Sequence, residues 1–178
     1  MLNDQNFQEE IQKRNLVLVD FFATWCEPCS VLAPILEKAV ESFRDKIDLF
    51  KINVDDFPLI SQKYNVERIP FVVLFKKGKP IQGFVGLKPE QDIKEWLAVH
   101  WYEDYAKENN FKLNPNKSTV QRIIKGLFNN EKKYGQRHCP CKRVTGDPEQ
   151  DKKNICPCAS HKKEIEENGQ CFCNLFKK

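Results

Sequence analysis

Eight cysteines dominate the chemistry available to this chain, and they fall into two groups. Cys26 and Cys29 enclose Glu27 and Pro28 in "WCEPC", while the other six lie between Cys139 and Cys173, in "HCPCK", "ICPCA" and "QCFCN". A C-x-x-C pair serves either as half of a zinc site or as a redox dithiol. Here it follows the β-rich apolar run "LVLVDFF" and opens the amphipathic stretch "VLAPILEKAVESF". That setting favours redox chemistry, because Cys26 then falls at a helix N-terminus, where unpaired N–H groups and the helix dipole stabilise a thiolate. Cys26 is the expected nucleophile, and Cys29, one turn further on, can close on it and release a mixed disulfide. Pro28 favours helix initiation, and Trp25 is expected to cover the pair. Asp20, set among Leu16, Val17, Val19, Phe21 and Phe22, is expected to be buried with a raised pKa, as a general base for Cys29.

The six remaining cysteines form three C-x-C pairs, and their spacing leaves three readings open. Three disulfides require an oxidising compartment. Zinc takes four ligands, usually from C-x₂₋₄-C pairs, so a spacing of one residue fits it poorly and leaves two cysteines over. An iron–sulfur cluster takes four thiolates, and the remaining two would then form a second redox dithiol.

The elements that must hold these residues follow from hydrophobic periodicity. "LVLVDFF" (16–22) reads as a strand buried on both faces. The following helix places Val31, Leu32, Ile35, Leu36, Val40 and Phe43 on one side, with a kink expected at Pro34. "IDLFKINVD" (47–55) reads as a second buried strand, "FPLISQKYN" as a short helix, and "FVVLFKKGKPIQGFVG" (71–86) as a hairpin turning at Lys77-Gly78-Lys79. "KPEQDIKEWLAVHWYEDYAKEN" reads as a helix able to run past a domain edge. Beyond residue 103 the chain turns polar. Ser118 and Gln121 match a capping box ahead of a helix bearing Val120, Ile123, Ile124, Leu127 and Phe128, which stops near Gly135. The rest is turn-rich. Two domains are expected, 1–102 and 103–178. His138 and His161, near cysteines in sequence, read as surface histidines.

Composition narrows the function class. The chain has 178 residues and a formal charge of +4, with 29 basic and 25 acidic residues. The lysines are scattered and never interleave with aromatics in one basic stripe, so no nucleic-acid partner is expected. Met1–Arg14 is polar, the first apolar run carries Asp20, and nothing approaches the roughly 18 apolar residues of a membrane helix. A cytoplasmic protein with no membrane partner is therefore expected, in a compartment where clustered cysteines bind metal or do catalysis.

The order βαβ then ββα around a mixed central sheet with flanking helices resembles the α/β thioredoxin fold over about residues 5 to 100. The resemblance implies that Cys26 and Cys29 are the active pair, that Asp20 lies beneath them, and that Pro70 is a substrate-facing cis-proline before the hairpin. The usual glycine between the cysteines is Glu27 here, and the threonine often found after the proline is Phe71. The second stretch, through "YAKENNFKLNPN", "RIIKGL", "YGQRHCPC" and "CFCNLF", resembles the catalytic subunit of ferredoxin:thioredoxin reductase, a small, mainly α-helical iron–sulfur domain. That likeness implies a [4Fe–4S] cluster on Cys139, Cys156, Cys158 and Cys171, beside a redox pair of exposed Cys141 and cluster-side Cys173. The family's third pair encloses a histidine, where this chain has Phe172.

Together the two resemblances imply an enzyme, a ferredoxin-dependent thioredoxin or protein-disulfide reductase. A ferredoxin or similar low-potential donor would feed the cluster, the Cys141–Cys173 disulfide would be reduced, and Cys26–Cys29 would pass the electrons to target proteins with disulfides. The other reading from the residues is a thioredoxin-type oxidoreductase with a zinc-bound structural or interaction module.

Overall fold

Strand β1, Leu16–Phe22, is the spine of the first half. The structure, a computed structural model, describes residues 6–178; residues 1–5, which open the polar stretch Met1–Arg14 and include the start of the first resemblance, lie outside the described residues. Helix α1 (Phe7–Lys13) precedes β1, and helix α2 (Glu27–Glu41), strand β2 (Asp48–Asn53), helix α3 (Pro58–Lys63), and strands β3 (Phe71–Lys76) and β4 (Lys79–Val85) follow it. The sheet order is β2-β1-β3-β4. β1 pairs in parallel with β2 and antiparallel with β3, so the sheet is mixed as the pattern predicts.

Alternation along β1 sends Val17, Val19 and Phe21 into a core with Phe7, Ile11, Ile52, Ile60, Val73 and Phe75. Leu16, Leu18 and Asp20 point to the opposite face. The hairpin turns at Lys77 and Gly78, both with positive φ (47° and 81°), which a two-residue turn between twisted strands requires.

Three expectations need correction here. β2 is an edge strand in which Ile52 alone is fully buried, because pairing on one side only leaves its outer residues open. Along α2, Leu32, Leu36 and Ala39 are buried with Cys29, whereas Val31 is exposed. The third is the polar stretch before β1, which holds the amphipathic helix α1 with Phe7 and Ile11 buried.

The chain divides into two units, Met1–Lys94 and Glu95–Lys178. The division falls within helix α4, Glu90–Glu108, and so does the boundary expected after residue 102. The second unit continues with strand β5 (Lys112–Leu113), helices α5 (Lys117–Tyr134), α6 (Pro148–Lys152) and α7 (His161–Asn168), and strand β6 (Phe176–Lys177). It is helix-rich, with a two-stranded β5-β6 ribbon that the sequence pattern does not announce. Val120, Ile123, Ile124, Leu127 and Phe128 are all buried on α5, which ends at left-handed Gly135. Its cap differs from the expected box. Asn116 accepts the bond from the Thr119 N–H, and Ser118 donates its hydroxyl to the Asn116 side chain. Among the described residues no helix is long and apolar enough to cross a membrane.

Candidate functional site

In the first unit, Cys26 is the N-cap of α2 and Cys29 lies in its first turn, with Pro28 between them. The two sulfurs form a disulfide, and the Cys29 N–H points at the Cys26 sulfur, 3.2 Å away. Both cysteines pack with Ala23 in a small apolar cluster that Phe22, Val54 and Ile69 border. Ile69–Pro70 is a cis peptide, as expected of Pro70. Trp25 is not folded into this cluster: the residue is 71% exposed, its Nε1 donating to Asp55 at 2.8 Å.

Asp20 is 1% exposed, and neither carboxylate oxygen has a hydrogen-bond partner. Burial pushes its pKa up from 3.8 to about 6, against the opposing charge of Lys51, its register partner on β2. A carboxyl that takes up a proton near neutrality has the poise of an acid–base group. Asp55 and Lys51 were not singled out from sequence, although the pairing of Lys51 with Asp20 follows once β1 and β2 are aligned.

What the first unit defines is a thiol–disulfide oxidoreductase of the thioredoxin fold.

In the second unit, Cys139, Cys156, Cys158, Cys171 and Cys173 are buried and Cys141 is exposed, all six as free thiols. Cys141 and Cys173, the implied redox pair, are thus unbonded. Cys173 sits among the buried group, its sulfur 3.7 Å from that of Cys171. It is placed to hydrogen-bond to Cys139 and Cys171. Those hydrogen bonds hold Cys139 down at about 7 and Cys171 at about 6, and push Cys173 up. Burial pushes Cys156 well up too, with the charges of Cys139, Cys158 and Cys171 adding to it. The exposed Cys141 is raised by partial burial and by Cys139, while Arg122 opposes that.

The first C-x-C loop is backed by α5. A Cβ on Gly126 would lie 2.8 Å from the Cβ of Pro140, so the helix has no side chain where that loop crosses it. The second loop carries another cis peptide, Cys156–Pro157, which spacing alone did not reveal. Both nearby histidines are buried, contrary to the surface reading. His138 Nδ1 donates to the Asp151 carbonyl at 3.1 Å. His161 Nδ1 donates to the Cys158 carbonyl at 2.5 Å, and its Nε2 shares a 2.9 Å bond with the Tyr105 hydroxyl. They support the loops instead of facing solvent. Phe172 is 69% exposed, and its N–H donates to Glu164.

Among the described residues, no three His, Cys, Asp or Glu side chains are arranged to hold a single metal ion. The thiols nonetheless perturb one another's titration, Cys139 through Cys173 and Cys156 through Cys139, Cys158 and Cys171. A donor set made of thiols alone is of the kind that an iron–sulfur cluster takes.

Comparison with known proteins agrees with both halves. A family described as Thioredoxin matches residues 1–99, and one described as Ferredoxin thioredoxin reductase catalytic beta chain matches residues 90–178. A thioredoxin from Alicyclobacillus acidocaldarius is 41% identical over 97 residues, covering 54% of this chain and 92% of the relative. One from Staphylococcus haemolyticus is 40% identical over 99 residues, covering 56% and 94% respectively. A solved mutant thioredoxin from Halobacterium salinarum NRC-1 is similar at a TM-score of 0.51 and 29% identity, over 56% of this chain and 86% of that one. The chain belongs to the thioredoxin family through its first half and to the ferredoxin thioredoxin reductase catalytic beta chain family through its second.

Proposed function

We propose that the chain is a disulfide reductase relay in which the second unit's thiols recharge the Cys26–Cys29 pair. The observation that carries this is the state of the six clustered cysteines: five buried thiols, the sulfurs of Cys171 and Cys173 3.7 Å apart, and one, Cys141, open to solvent. A purely structural metal module has no use for the surplus pair. Cys139, Cys156, Cys158 and Cys171 would hold a [4Fe–4S] cluster. When bound, it supplies the single electrons, drawn from a ferredoxin-like donor, that return a Cys141–Cys173 disulfide to two thiols.

The steps assigned to the protein's own residues are two-electron thiol exchanges. The Cys141 thiolate attacks the Cys26–Cys29 disulfide, forming a mixed disulfide with Cys26 and releasing Cys29, which takes up a proton with Asp20 as the acid–base group. Cys173 then attacks Cys141, closing the Cys141–Cys173 disulfide and freeing Cys26. The reduced Cys26 attacks a target protein's disulfide, and Cys29 resolves that mixed disulfide. A donor near −400 mV against a thioredoxin near −270 mV gives ~130 mV, or roughly 6 kcal/mol for two electrons. The buffered, reduced conditions this cycle needs are those of a cytoplasm.

Metal and sulfide analysis of protein purified without oxygen tests the proposal. About four irons and about four sulfides per chain are expected. Roughly one zinc with no sulfide would overturn it in favour of a zinc-bound module.

A further inference from the structure

The sequence pattern singles out the cysteines, but the polar residues between them form a connected group of their own. Lys142 follows Cys141 directly, and its ammonium donates to the Cys158 sulfur at 3.3 Å and to Glu164 Oε1 at 3.3 Å, with Ser160 Oγ a third partner. Ser160 donates to the same carboxylate oxygen at 2.6 Å. The other oxygen of Glu164 accepts the Phe172 N–H at 2.8 Å. The first C-x-C segment thus supplies the cation, the second supplies a sulfur and a hydroxyl, and the third supplies a backbone donor. One carboxylate on α7 joins all three. The side chains of Lys142 and Glu164 are only 20% and 22% exposed, so water and salt screen this contact less than a surface pair.

We propose that Lys142 and Glu164 are positioning residues that fix the three C-x-C segments against one another and set the reduction potential of the group Cys158 helps to hold. The inference rests on the [4Fe–4S] reading above. Adding an electron to a thiolate-bound cluster makes it more negative. A cation directed at a ligand sulfur favours that state, and hydrogen bonds to the sulfurs and net charge are recognised controls of cluster potential. Glu164 works in the opposite sense, since its negative charge offsets part of the Lys142 field while its oxygens hold Ser160 and Phe172 in place. A clasp of this kind therefore carries two opposed charges on one set of contacts.

That opposition provides the test. The full chain, purified without oxygen, is compared with K142M, K142R and E164Q for iron and sulfide content and for cluster midpoint potential by spectroscopic redox titration. K142M should lower the potential, K142R should restore it, and E164Q, which keeps an oxygen for the Phe172 N–H, should raise it. Each shift should amount to roughly tenfold in the one-electron equilibrium constant, about 59 mV. A residue that merely stabilised the fold would not move the potential in opposite directions for the two variants. Iron-loaded K142M and E164Q with the wild-type potential, or with shifts of the same sign, would overturn the proposal and leave the relay reading intact. If K142M loses its iron, the rise in E164Q still decides the matter. Wild-type protein without iron and sulfide would overturn the relay reading, and this proposal with it.

Discussion

Asp20 is the residue whose environment departs furthest from its sequence neighbours' needs. A carboxyl buried without a hydrogen-bond partner costs little while protonated and much when charged. Its folded pKa, about 6, lies above its ordinary 3.8. The stability tied to its proton is therefore fully present below about pH 4 and is lost as pH rises through about 6. That difference corresponds to about 3 kcal/mol at neutral pH. Asp20→Asn is expected to raise the unfolding free energy at pH 7.5 by up to that amount and to leave it nearly unchanged near pH 4. Denaturant titrations at the two pH values check this, and equal gains at both would show that charge burial is not the cause. Lys51→Met should push the Asp20 pKa higher still, since it removes the opposing charge, which a pH titration of the Asp20 carboxyl by NMR would record. The burial of Asp20 was legible from its apolar neighbours. The exposure of Trp25 was not, because its partner Asp55 lies 30 residues away in the chain.

At the scale of elements, α5 does two jobs that separate cleanly by mutation. Gly126 is an unfavourable residue inside a helix, by about 1 kcal/mol relative to alanine. Its place against Pro140 explains its use. Gly126→Ala should thus fail to stabilise the chain, displace the loop carrying Cys139 and Cys141, and lower iron content measured per chain. Asn116→Ala, at the cap, should cost about 1 kcal/mol in stability and leave the iron content unchanged. The apolar stripe of α5 was plain in the sequence because five core positions recur at helical spacing. The cap was misassigned because Ser118 and Gln121 have the spacing of a capping box while Asn116, two residues earlier, takes the bond. The edge position of β2 was not legible either. Apolar content marks a strand but does not say how many neighbours it has, and His138 and His161 are buried by contacts that no local pattern encodes.

For the whole molecule, covalent linkage sets how the proposed relay should behave. In the proposed relay the two groups share one chain, and linked groups whose connection lets them meet do so at an effective concentration that can reach the millimolar range, well above the protein concentration of an assay. Turnover per chain is therefore expected to be independent of protein concentration. A mixture of a chain lacking Cys26 and Cys29 with a chain lacking Cys141 should stay inactive in reducing a protein disulfide. Recovery of activity in that mixture, rising with concentration, would show exchange between chains instead. The two-domain character was visible in the sequence as a change of cysteine spacing and composition. The place of the division was harder to read, because helix α4 runs without interruption through it.

The order of the units along the chain also bears on how the protein is made. Synthesis delivers residues 1–94 before any of the six clustered thiols exists, and N-terminal domains generally fold first as units. Of the six, Cys171 and Cys173, whose sulfurs lie 3.7 Å apart, are made last and are open to accidental oxidation until folding buries them. The unit holding Cys26 and Cys29 can therefore complete its folding before the thiols that most need burial have been made.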